Sequence, residues 1–155
     1  MKTFLIPVVL AGLALGLSGA TGPGVVAQTP GVQINAPAGL GAAGYDLVAY
    51  FRQNAPVLGD AALSHLHEGV TYRFSSAENR AAFRADPAAY LPQYGSYCAY
   101  GVARGYKVGV DPAAFTIVDG KLYLNYDRAV QKIWRKDIPR YLARSEANWP
   151  AIADD

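Results

Sequence analysis

Phe115-Thr116-Ile117-Val118-Asp119-Gly120-Lys121-Leu122-Tyr123-Leu124-Asn125 is two apolar runs joined by Asp-Gly. Asp-Gly suits the two left-handed positions of a tight hairpin turn, and the flanking residues suit a pleated surface. The stretch therefore predicts a β-hairpin, with strands over Phe115 to Val118 and Lys121 to Asn125. Asp127 follows as a helix cap, and Ala129, Val130, Ile133 and Trp134 fall on one face of the helix it starts. Ile138-Pro139 opens another helix, in which Ile138, Tyr141, Leu142 and Ser145 keep helical spacing and Trp149 lies a turn further on.

Upstream, Ala61 to His67 and Val70 to Phe74 flank Glu68-Gly69 and read as a second hairpin. Ser75-x-x-Glu78 is a capping-box pattern, so the Ser75 hydroxyl is expected to cap a helix running to about Ala85. Pro87 restarts a helical turn through Tyr90. Pro92 to Gly105 is dense in Tyr and Gly and has room for a short helix between Ser96 and Ala103. Tyr45 to Phe51 is a compact aromatic segment that fits helix or strand. No internal repeat is legible. Two short hairpins among about four helices make an α+β fold, in one small domain.

The 155 residues leave room for one domain, and 52% hydrophobic against 17% charged residues excludes a disordered tail. A formal charge of +2 provides no basic field for nucleic acid, so none is expected as a partner. Met1-Lys2-Thr3 followed by the apolar run Phe4 to Leu17 reads as a signal peptide, too short to span a bilayer comfortably. Ser18-Gly19-Ala20 and Val25-Val26-Ala27 are both small-residue cleavage sites, and the second is favoured because a polar Gln28 follows Ala27. An uncleaved membrane anchor is the alternative. The expected organisation is a signal peptide over 1–27, a flexible Ala-Gly-Pro-rich leader over 28–44 and a domain over 45–152. The mature protein is expected in the periplasm or secreted, with no membrane span. Loss of Lys2 with the signal leaves it nearly neutral.

Few residues carry legible chemistry. No Gly-rich phosphate loop, Gly-x-Ser-x-Gly elbow, Cys-x-x-Cys-His or His-Glu-x-x-His is present. His65 and His67, two apart on a strand, point to one face and can share a copper or zinc ion. They equally read as one surface and one hydrogen-bonded structural histidine. Cys98 in Gly95-Ser96-Tyr97-Cys98-Ala99-Tyr100-Gly101 reads as a small buried apolar side chain, a metal ligand or a redox thiol. No histidine and orienting acid are legible beside it, which argues against a catalytic nucleophile. Tyr90, Tyr94, Tyr97, Tyr100 and Tyr106 fit either a ligand pocket or a core, and Arg104 and Lys107 fit an anion contact or a solvated surface.

Gly44-Tyr45-Asp46-Leu47-Val48-Ala49-Tyr50-Phe51 resembles the Gly-Tyr-Asp-Pro-Val-Ala-Tyr-Phe opening of exported bacterial YHS-domain proteins, with Leu47 in place of the usual Pro. The likeness continues through Phe74 to Arg80, Tyr90 to Gly95, Tyr97 to Gly101, Asp119 to Tyr126 and Asn148-Trp149-Pro150. The wider family carries thiols at the positions of Ala49, Ser75 and Asn79, so its soft-metal site is not implied for this chain. The resemblance implies the scaffold and no established reaction. The expected function is a non-catalytic periplasmic binding or accessory protein for an unknown small ligand or protein partner, with no cofactor certain. The alternative is a copper- or zinc-binding domain using Cys98 with His67 or His65.

Overall fold

The computed structural model of the protein describes residues 33–155, and the expected signal peptide lies outside them. Five α-helices and two separate two-stranded antiparallel sheets make a small α+β domain. In chain order these are α1 (Leu47–Arg52), β1 (Asp60–His67), β2 (Val70–Phe74), α2 (Ala77–Ala85), α3 (Ala99–Ala103), β3 (Asp111–Val118), β4 (Lys121–Asn125), α4 (Arg128–Arg135) and α5 (Ile138–Ile152). The Tyr45 to Phe51 segment is helix from Leu47 on, because the Asp46 carboxylate accepts from the Val48 and Ala49 N–H groups and fixes the first turn, while Tyr45 is extended and bridges to Leu58. No helix among the described residues is long and apolar enough to cross a membrane.

Both hairpins turn where expected. Glu68-Gly69 and Asp119-Gly120 each adopt positive φ at both positions (48° and 79°, 50° and 73°), as a two-residue turn of this hand requires. Asp127 and Asp137 cap α4 and α5 through the Val130 and Arg140 N–H groups. The cap of α2 lies one residue later than expected. Ser76, not Ser75, accepts from the Asn79 N–H at 3.1 Å. Ser75 turns inward and donates its hydroxyl to the Asp46 carboxylate at 2.6 Å. The Ser75–Glu78 capping box is not formed, because a buried carboxylate competes for that hydroxyl.

The structure also contains an internal repeat that the sequence reading missed. Ala42-Ala43-Gly44 and Tyr94-Gly95-Ser96 both run at left-handed φ, each two residues ahead of the cap residue of a short helix, Asp46 for α1 and Cys98 for α3. Each short helix leads into a hairpin with the same irregularity. Asp60 pairs with Phe74 and Ser64 with Arg73; Asp111 pairs with Asn125 and Phe115 with Leu124. Asp60 and Asp111 fold that irregularity alike, accepting from the Ala62 and Ala113 N–H groups. A capped helix then closes each half, α2 after Ser76 and α4 after Asp127. The described residues thus hold two copies of a helix–hairpin–helix unit, followed by α5.

Two apolar clusters follow from this plan. Phe83 of α2 sits among Leu47, Val48, Tyr50, Tyr72 and Phe74, and Leu122 and Leu124 of the other hairpin join the same cluster, so it ties the halves together. Its counterpart Trp134 packs with Tyr94, Ala99, Val102 and Tyr123, and α5 covers that group with Tyr141, Leu142 and Trp149. Residues 34–44, expected to belong to a flexible leader, are instead folded onto the body. The Asn35 N–H donates to the Gly95 carbonyl, and Leu40 bridges to Thr71. Gly41 lies so close against the Tyr72 ring that a side chain there would collide with it.

Candidate functional site

The repeat sets two equivalent cradles side by side for comparison. In the first, Asp46 is fully buried. One of its oxygens accepts from Val48 and Ala49; the other accepts from the Ser75 N–H, the Ser75 hydroxyl and the Asn79 amide, the last at 2.8 Å. In the second, Cys98 takes the place of the carboxylate. Its sulfur accepts from the Gly101 N–H at 3.5 Å and the Tyr126 N–H at 3.2 Å, with the Asn125 amide nitrogen at 3.8 Å. Gly101 corresponds to Ala49 and Tyr126 to Ser75. Cys98 is thus neither packed against carbon alone nor set against a histidine nitrogen. It meets the N–H groups that a carboxylate meets in the other half.

The two cradles differ in what lies above them. Cys98, Tyr100, Gly101, Tyr106, Val108, Tyr126 and Val130 line a depression of about 210 Å³. Its walls are mainly apolar, and Tyr106 and Tyr126 stand half-exposed around it, at 50% and 54%. Asn125 is fully buried, and its Oδ1 has no hydrogen-bond partner among the described residues.

His65 and His67 do share a face, as strand spacing predicts. Both rings stand edge-on to Phe83, with centroids 6.1 and 5.8 Å from it. His67 lines a different depression from Cys98, together with Val70, Tyr72 and Trp149. No group of three or more His, Cys, Asp or Glu side chains suited to a metal occurs among the described residues. Partial burial, then Arg84, His67 and Arg80, holds the His65 pKa below its ordinary value of 6.5. An unfolded chain then takes up the proton first as the pH falls. The neutral ring's contribution to stability is complete above about 6.5 and is lost as the pH drops through the lower folded-state value. In an NMR titration the His65 midpoint should fall below that of a free histidine, and Arg84→Gln should raise it. A midpoint at or above 6.5 contradicts this arrangement.

The tyrosine cluster divides between core and depression. Tyr94 is buried and donates to Glu146 at 2.9 Å; that burial, reinforced by Glu146, pushes its pKa far up. Tyr90 packs edge-on against Phe51, and Tyr97 donates to Gln33. Only Tyr100 and Tyr106 reach the Cys98 depression. Arg104 lies 6.0 Å over the Tyr100 ring, and Lys107 donates to Gln33 and the Asp155 carbonyl; neither is among the residues that line the depression. Asn125, Tyr126, Val108 and Val130 were missed as site residues. The available signal was the identity of Asp60 with Asp111, Gly69 with Gly120 and Tyr72 with Tyr123, all at one constant spacing. No protein-family model, curated protein or solved structure matches the chain.

Proposed function

We propose that this is an exported, non-catalytic binding domain of YHS type, whose site is the depression over Cys98. The observation that carries the reading is a concave, mainly apolar surface built on buried groups, with half-exposed tyrosines around it. Such a surface suits a small aromatic or apolar molecule. The sulfur meets N–H donors, and no histidine or carboxylate lines the depression to act as a base, which favours binding over catalysis. Support for the YHS scaffold comes from the positions where the wider family carries thiols. Ala49, Ser75 and Asn79 converge on the single Asp46 carboxylate, a meeting of three segments suited to a shared ligand.

Indole added to the ¹⁵N-labelled protein should shift the Gly101, Val108 and Tyr126 amide signals saturably. Val130→Phe, which fills the depression, should abolish the response. Absence of saturable shifts, or unchanged binding in Val130→Phe, refutes the reading. If zinc or copper instead raises the melting temperature, and Cys98→Ser and His67→Ala each abolish the rise, the metal-binding function takes its place. Export rests on residues 1–27, and the intact mass of periplasmic protein should begin at Gln28. A mass that includes Phe4 to Leu17 excludes cleavage there.

A further inference from the structure

A third depression, of about 380 Å³, lies between the second half and the α1–β1 loop of the first. Phe115, Thr116 and Ile117 of β3 and Gln131 of α4 line it, and Asn54, Ala55 and Pro56 reach it from the loop between α1 and β1. The polar groups are held firmly. Gln131 and Thr116 are 3% and 6% exposed, and the Gln131 amide donates to the Phe115 carbonyl and to the Thr116 hydroxyl.

Arg128 and Arg135 complete the lining. Seven residues are close to two full turns, so both arginines leave the same face of α4, about 10 Å apart along its axis. Neither has a carboxylate within 4.0 Å among the described residues. Residues 128–136 also contain Lys132 and Lys136 and no acidic residue. The flanking Asp127 and Asp137 are turned to the Val130 and Arg140 N–H groups as caps. Neither arginine is therefore held in an ion pair among the described residues. Arg135 has its counterpart in Arg84 of α2, whereas Arg128 does not follow from the repeat, because Ala77 occupies the equivalent position.

We propose that this depression binds a small organic dianion, one acidic group to each guanidinium, with its linker across the strip of β3 held by Gln131. Guanidinium presents paired N–H donors that fit a carboxylate or phosphate edge, and two such groups about 10 Å apart along the helix favour a ligand with two spaced acidic groups over a bare ion. The concavity, walled by the α1–β1 loop, favours a small molecule over an extended polyanion.

Glutarate is the probe, read by NMR at the Thr116 amide and the Gln131 side-chain amide in low salt. Saturable shifts are expected with glutarate. Butyrate, with one carboxylate, should bind at least ~10-fold more weakly, and neutral glutaramide should not bind. Arg128→Gln and Arg135→Gln should each weaken glutarate by ~10-fold or more, with the remaining backbone spectrum unchanged. Arg140→Gln removes the same charge outside the depression and should leave binding intact. No saturable shift by about 20 mM glutarate, a concentration generous for a doubly charge-assisted contact, overturns the proposal. So does butyrate or inorganic phosphate binding as tightly as glutarate, or Arg140→Gln weakening it as much as Arg128→Gln.

Discussion

Asp46→Ala should lower the unfolding free energy by about 3–5 kcal/mol, the range for leaving the partners of a buried charged group unpaired. The carboxylate is fully buried, and its five donor contacts come from the first turn of α1, from the end of β2 and from α2. Removing it strands the N–H groups of the fully buried Val48 and Ala49 and takes away the partner of the Ser75 N–H at the same time. Asp46→Asn should fall between wild type and Ala, because its NH₂ must face N–H donors on one side. Cys98→Ser provides the internal comparison. Sulfur is a weak acceptor, and Ser retains an acceptor at the head of α3, so its cost should stay near 1 kcal/mol. Urea unfolding of the three variants measures the order. A loss below about 1 kcal/mol for Asp46→Ala would mean that the cradle contributes geometry and little stability.

What the sequence reveals here divides by the range of the interaction. The hairpins were legible because Glu68-Gly69 and Asp119-Gly120 make their turns with their own backbones. Asp127 was legible as a cap because the N–H group it accepts from lies three residues on. Ser75 and Ser76 are chemically alike, and the choice between them is made by Asp46, on another segment. The same limit hid the Cys98 site, whose Asn125 and Tyr126 donors come from the far end of the second hairpin. Residues 34–44 read as a leader because they anchor by backbone hydrogen bonds, a bare glycine against Tyr72 and the scattered small or apolar Ile34, Ala36 and Ala42, which leave no periodic hydrophobic pattern. The repeat was obscured because burial diverged between the halves. Arg73 is part-exposed where Leu124 is buried, and the aligned letters differ although the pairing is the same.

Phe83→Ala should cost about 3–5 kcal/mol, the usual range for emptying a fully buried aromatic site. The ring is 0% exposed, and Tyr72 and Phe74 pack against it with centroids 5.1 Å away, while His65 and His67 meet it from the β1 side. These neighbours are held by two strands and a helix, so they cannot collapse into the space without breaking the pairing of β1 with β2. Phe83→Leu refills most of the volume and should cost only about 1–1.5 kcal/mol. The two variants also separate packing from charge at His65. Burial is the largest cause of its lowered pKa, ahead of Arg84. Opening the site in Phe83→Ala admits water to that ring, and its titration midpoint should rise toward 6.5, while Phe83→Leu leaves it near the wild-type value. If the midpoint stays put in Phe83→Ala although stability falls, the arginines of α2 rather than the phenylalanine ring control the histidine.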